Sequence, residues 1–195
     1  MELPLTPARM ISFSDGVIAV IITIMVLELR VPAHDVSNAE GIRRLVPILA
    51  IYALSFLEVG IYWVNHHYMV DDLEHVSHGL LWSNLSFLFT LSLIPFATAW
   101  VGQRGISPFA LSLYSICSAL PAVTWFILST LVVRHTRKAY TGSLTKQVAS
   151  SALYLGAIPV SYHSETCAIL MIAAIAPLWL VPPKSRRQPD RVRKM

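Results

Sequence analysis

Apolar residues run through this chain in long blocks separated by short polar stretches. A membrane-spanning helix needs about 20 apolar residues, with a range of about 17–25. On that measure the pattern predicts six transmembrane helices, near 11–29, 45–65, 79–101, 107–133, 147–162 and 165–181. The fold class expected is an all-α integral membrane protein, with residues 1–195 forming a single six-helix transmembrane domain. The last two spans are the least regular. Residues 148–181 are apolar apart from Tyr162-His163-Ser164-Glu165, which reads as a tight turn between two short helices. One long tilted helix is the alternative, made less attractive by Pro159 and Pro177. Proline inside a helix removes a hydrogen bond and crowds the carbonyl four residues back.

The first apolar block lacks a Lys/Arg-rich start, contains Asp15 and runs into Leu27-Glu28-Leu29-Arg30 without a small-residue cleavage site. It is expected to stay as the first span and not be removed as a signal peptide. Six spans put both termini on one side. The N-terminal segment, the 66–78 and 134–147 loops and the tail together hold 11 Lys/Arg, against 4 in the other three loops. Positively charged loops stay inside, so both termini are expected in the cytoplasm. The basic tail, residues 184–195, then faces anionic lipid as a topology anchor.

Composition agrees. The chain is 55% hydrophobic and 13% charged, whereas a soluble domain carries about 25% charged residues. The net charge of +4 sits in loops and tail, where it concerns topology and lipid and gives no reason to expect nucleic acid as a partner. Cys117 and Cys167 fall in apolar blocks and read as small core residues. Prolines 47, 95, 121, 159 and 177 lie within or beside spans, which is common in membrane helices. No internal repeat is evident.

The first span carries polar groups where hydrocarbon disfavours them. Ser14-Asp15-Gly16 lies inside its apolar run and Arg9 stands at its mouth. Asp or Arg at a helix centre costs roughly 2.5–3.5 kcal/mol, less near an end. The stretch is therefore a functional-site candidate. At 100° per residue, Gly16, Val20, Thr23 and Leu27 share one stripe, continued by Phe13 and Arg9, while Asp15 lies about 140° from Val20. The stripe is either a packing face or a pore wall.

Polar residues elsewhere offer partners for the acid. Ser55, Glu58, Tyr62, Asn65 and His66 line one face of the second span, and Trp82, Ser83, Asn84, Ser86 and Thr90 mark the third. Such groups bond to one another across membrane helices. Arg9, Ser14 and Asp15 are expected to pair with His66, Trp82 and Asn84. The 66–78 loop holds His66, His67, Asp71, Asp72, Glu74, His75 and His78. Were the second helix to continue, His67, Asp71, His75 and His78 would share a face able to hold zinc. A solvated loop without metal is the expectation. Enzyme signatures are absent: no HExxH, GxSxG, Walker A or GxGxxG occurs, nor the TVGYG filter of ordinary potassium channels.

Arg9-Met-Ile-Ser-Phe13-Ser14-Asp15-Gly16 resembles the RxxxFSDG signature of the lysosomal potassium channel family known as transmembrane protein 175. Ser55-Phe-Leu-Glu-Val-Gly-Ile-Tyr-Trp63-Val-Asn-His66-His67 looks like that family's second helix, and Leu81 to Thr98, including Trp82 and Asn84, like its third. The likeness is specific over roughly residues 9–101 and fades afterwards. One signature and six spans are similar to prokaryotic members. The resemblance implies a homotetramer in a prokaryotic plasma membrane, lined by the first helix of each subunit. It implies a cation channel preferring potassium to sodium, with no cofactor beyond the permeant potassium ions. It assigns pore roles to Val20, Thr23 and Leu27, all members of the stripe. Val20 is shorter than the usual Ile or Leu, so its ring would be wider. Glu58 replaces a usually aliphatic residue and is either a structural partner or lipid-facing. A secondary transporter, which would be expected to show an internal repeat, a membrane enzyme and a non-conducting scaffold are the alternatives.

Overall fold

Blocks of apolar residues this long have nowhere to satisfy backbone polar groups in lipid except within a helix, and helix is the only regular secondary structure among the residues that the computed structural model describes, 6–29, 31, 37–71, 73–136 and 144–180. Helix α1 spans Pro7–Ile24 and ends in a 3-10 turn, Met25–Glu28. Proline at its first position suits a helix start, where its missing N–H leaves no bond unmade. Helix α2, Asn38–Val70, is much longer than the apolar block that marks it. Ser37 caps it by accepting from the Glu40 amide at 3.4 Å, and Arg44 pairs with Glu40 at 2.8 Å.

The third span is two helices, α3 at His78–Leu91 and α4 at Leu93–Arg104. The break at Ser92 falls three residues before Pro95, whose ring crowds the Leu91 carbonyl. Gly105, at φ 80°, ends α4 in the left-handed region that favours glycine. Helix α5 runs from Pro108 to His135. Helix α6, Leu144–Ser161, and the α7–α8 pair, Glu165–Ala173 and Ile175–Leu180, follow. The break at Ala174 again lies three residues before a proline, Pro177. The turn at Tyr162-His163-Ser164 is present, with Ser164 accepting from the Cys167 amide at 3.3 Å. Residues 148–181 are therefore not one long helix.

Four helical segments are long and apolar enough to cross a membrane, Pro7–Glu28, Asn38–Val70, His78–Arg104 and Pro108–Arg134. Helix α6 and the shorter apolar Glu165–Leu180 complete the arrangement, so six helices fit. Helix α5 is central, packing on α3, α4, α6 and α7, while α1 lies against α2 and α3. One apolar core joins Ile18 and Ile21 of α1 and Met25 of the turn that follows it to Val59, Phe87, Leu91 and Trp125. A second joins Ile51 and Val101 to Tyr114, Tyr154 and Ile172. Cys117 is buried, but Cys167 is exposed on α7 and is not a core residue. The basic tail 184–195 and residues 137–143 of the preceding loop lie outside the described residues.

Candidate functional site

Helix α1 has two faces. Met10, Ser14, Ile18, Ile21 and Met25 are buried against the rest of the subunit. The stripe faces away: Gly16 and Thr23 are exposed, Phe13 is 55% exposed, Val20 56% and Leu27 75%. Thr23 Oγ1 donates to the carbonyl oxygens of Ala19 and Val20 at 2.9 and 3.0 Å. Its hydrogen is thus turned back onto the helix, leaving lone pairs on the outer side. Leu27 is not on a straight continuation of the α-helix. It lies in the 3-10 turn, where each residue advances about 120° in place of about 100°, which swings it off the line through Val20 and Thr23. Glu28 at the end of this turn accepts from Gln103 Nε2 of α4 at 3.1 Å.

The motif residues divide between two helices. Asn84 Nδ2 of α3 donates to Ser14 Oγ at 2.9 Å, and Asn84 Oδ1 bonds His66 Nε2 of α2 at 2.9 Å. All three side chains are buried. The imidazole stacks on Phe87, with ring centroids 6.0 Å apart and planes 8° from parallel. Asp15 turns elsewhere: its Oδ1 accepts from Trp63 Nε1 of α2 at 3.0 Å. Trp82 does not join the network, being 68% exposed on α3. Among the described residues, neither the Arg9 nor the Trp82 side chain makes a hydrogen bond or ion pair. A Cβ on Gly16 would meet nothing within 4 Å, so no close approach inside the subunit requires glycine there.

Glu58 is a structural partner and does not face lipid. Its Oε2 accepts from Ser118 Oγ at 3.1 Å and Tyr114 OH at 3.3 Å, and its Oε1 from Tyr154 OH at 2.7 Å. Ser55 Oγ bonds Tyr114 OH at 2.9 Å and accepts from Thr98 Oγ1 at 2.8 Å. One polar network therefore ties α2, α4, α5 and α6 together. The polar face read on the second span thus serves two purposes: Ser55 and Glu58 point to α4–α6, and His66 to α3. The sequence pattern flagged Glu58, Asn84 and His66 as polar groups in apolar blocks. It did not identify Trp63, Tyr114, Ser118 and Tyr154 as the partners.

The histidine loop has no shared face. Helix α2 stops at Val70, residues 73–77 are not helical, and α3 begins at His78. His67, Asp71, His75 and His78 are all exposed, and among the described residues no three metal-ligating side chains come together. Asp72 lies outside the described residues.

Comparison with known proteins bears on the same helices. Residues 9–95, which carry the Ser14, Asp15, Trp63, His66 and Asn84 contacts, match the family model described as "Endosomal/lysosomal potassium channel TMEM175". A protein described as a potassium channel from Chryseobacterium sp. (strain P1-3) is 36% identical over 185 residues, covering 92% of this chain and 95% of that one. A potassium channel from Chamaesiphon minutus is 30% identical over 171 residues, covering 80% and 84%. The fold is similar to the crystal structure of a lysosomal potassium-selective channel TMEM175 homolog from Chamaesiphon minutus, with a TM-score of 0.73 at 24% identity over 89% of this chain and 96% of that chain. Relatedness that runs nearly end to end, joined to a family model matching the motif-bearing helices, shows that this chain belongs to the TMEM175 family.

Proposed function

We propose that this chain is a potassium-permeable channel whose pore is walled by the exposed face of α1 from each of four subunits. Potassium permeability rests on family membership and on relatives described as potassium channels. Membership of a channel family also makes the protein a non-enzyme. The observation that carries the pore reading is the two-faced first helix. Its inner face is fully packed, while Val20, Thr23 and Leu27 stand clear of the subunit. One chain cannot enclose an ion path with a single convex helix face. Four copies around an axis can, with two aliphatic rings and a hydroxyl ring between them. A narrow aliphatic ring blocks a cation because no oxygen replaces the water it must shed. The Thr23 oxygen, with its hydrogen turned to the backbone, offers the one compensating ligand. That favours potassium, which loses water more cheaply than sodium.

Arg9, Phe13, Ser14, Asp15, Gly16, His66, Trp82 and Asn84 act in this reading as the frame that sets how α1 presents its pore face. The excess of Lys/Arg in the terminal segments and even-numbered loops orients both termini toward the cytoplasm of a prokaryote, with the channel multi-pass in its plasma membrane. Reconstitution of the purified protein into proteoliposomes tests this. Potassium flux exceeding sodium flux is expected, together with a tetrameric mass by light scattering in detergent. A monomer, or vesicles as tight as empty ones, would overturn it.

A further inference from the structure

A second polar centre lies inside each subunit, away from the α1 face. A cavity of about 40 Å³ sits between α2, α5, α6, α7 and α8. Glu58, Tyr62, Asn65, Trp125, Tyr154 and Trp179 are among its walls, and no described residue of α1 lines it. Asn65 and Trp125 are 3% and 1% exposed. Asn65 Nδ2 donates to the Ile61 carbonyl at 2.8 Å, but Asn65 Oδ1 has no partner, nor has Trp125 Nε1. Buried polar atoms are almost always satisfied, so two orphans on one cavity wall call for an occupant.

The charge pattern says which kind. Three hydroxyl groups, from Tyr114, Ser118 and Tyr154, donate to the two Glu58 oxygens. Hydroxyls converging on both oxygens suit an ionised carboxylate, the acceptor-only form. Among the described residues no lysine, arginine or histidine forms an ion pair with it. A buried charge with no opposite charge is strongly disfavoured. A mobile cation resolves both problems at once. It would meet the carboxylate, the neutral Asn65 oxygen and the aromatic rings, which attract cations. A water in its shell would accept from the Trp125 N–H. A single carboxylate suits one positive charge, since divalent ions gather several oxygen ligands in stricter shells. A water needs roughly 10–15 Å³ of such space, so an ion of potassium or ammonium size fits with one or two waters.

We propose that the Glu58 cavity is a binding site for one monovalent cation, alkali or ammonium, in each subunit, separate from the ion path. Crystals of the full-length protein soaked in rubidium chloride test it by anomalous scattering. A peak between Glu58 and Asn65, away from the oligomer axis, is expected. It should vanish in Glu58→Gln and fall at least twofold in Asn65→Leu, a variant that leaves the carboxylate network intact. An equal concentration of ammonium should lower the peak about twofold if the site accepts ammonium as well as alkali ions, and leave it unchanged if it is alkali-selective. Anomalous density confined to the axis, ordinary water in the cavity, or a peak that survives Glu58→Gln would overturn the proposal. The readout is independent of conduction, so a failure of the pore reading would leave it standing.

Discussion

Trp63 donates its indole N–H to the Asp15 carboxylate at 3.0 Å, while the neighbouring Ser14 accepts from Asn84 at 2.9 Å. Adjacent residues of α1 are thus held by two different helices, α2 through Asp15 and α3 through Ser14. Two bonds in different directions fix the rotation of a helix about its own axis better than two to one neighbour. The direction in which Val20 and Thr23 point follows from that rotation, one and two turns further along.

Asn84 is the more sensitive member of the buried pair. In Ser14→Ala the network loses one bond, worth about 0.6 kcal/mol on average between membrane helices, and Asn84 Nδ2 is left without its partner while Asn84 Oδ1 keeps His66. Asn84→Leu removes both bonds. In Asn84→Leu the buried His66 loses its Nε2 partner, and Nδ1 has none among the described residues. Ser14 keeps its own bond to the Met10 carbonyl at 2.9 Å. Leaving a buried polar group unsatisfied costs about 1–3 kcal/mol. Thermal unfolding in detergent should therefore show a clearly larger loss for Asn84→Leu than for Ser14→Ala. Equal losses would mean that the imidazole does not depend on the amide.

Asp15 faces α2, so its removal should loosen the frame without altering the ion's surroundings. Asp15→Asn keeps an oxygen that can accept from Trp63 but loses the charge that strengthens the bond. Trp63→Phe removes the donor altogether. Both are expected to lower tetramer yield or shift gating, Trp63→Phe at least as much, with the potassium-to-sodium flux ratio within about twofold of the parent. That twofold corresponds to about 0.4 kcal/mol, from tenfold per 1.4 kcal/mol. A much larger change in the ratio would put Asp15 in the ion path.

Helical spacing made it legible that Val20, Thr23 and Leu27 share one stripe, but both faces of α1 are apolar, so hydrophobicity alone left open which one packs. In the structure Met10, Ser14, Ile18, Ile21 and Met25 are the buried set. Asn84 and His66 were legible as partners because buried amides and imidazoles in apolar blocks must bond to something. The choice of Trp63 over Trp82 was not, since the two indoles stand near the facing ends of consecutive expected spans, 45–65 and 79–101, and only packing separates them. The Glu58 partners were equally hidden. Tyr154 stands 96 residues away, and pattern within a helix carries no information on which helix will face it. Prolines were ambiguous for a physical reason. Pro95 and Pro177 divide their spans, whereas Pro47, Pro121 and Pro159 lie inside continuous helices. The surrounding packing decides whether the displaced carbonyl bends a helix or ends it.

Zinc should not bind stoichiometrically to the 66–78 loop. With α2 ending at Val70, His67 lies on a helix and His75 in the non-helical connection, so no shared helix face gathers them. Tetrahedral zinc needs its ligands within about 2.0–2.3 Å of one point. Calorimetry on the purified protein should give no tight one-per-subunit event. Such an event, abolished by His67→Ala or His75→Ala, would mean that the loop rearranges around metal.

The last prediction concerns the mouth of the proposed pore. Leu27 is placed by the 3-10 turn, which is anchored on either side: Met25 is fully buried, and Glu28 is held by Gln103. Leu27→Ala should widen the aliphatic ring, raising flux and reducing discrimination between potassium and sodium. Leu27→Asn should ease ion entry by wetting the ring, because a polar side chain lowers the cost of keeping water there. Thr23→Ala removes the one side-chain oxygen from the stripe and should lower selectivity with little effect on assembly, since its hydroxyl bonds only its own helix. Gln103→Leu separates anchoring from lining. Gln103 bonds Glu28, one residue beyond Leu27, and is absent from the stripe, so freeing Glu28 should loosen the turn and raise sodium leak in the same direction as Leu27→Ala, by a smaller factor. Combining Gln103→Leu with Leu27→Ala should then add little, because the ring whose position Gln103 protects is already gone. Potassium and sodium flux from proteoliposomes decides each case. If the Thr23 and Leu27 variants conduct like the parent, the exposed face of α1 is a packing surface and the ion path lies elsewhere.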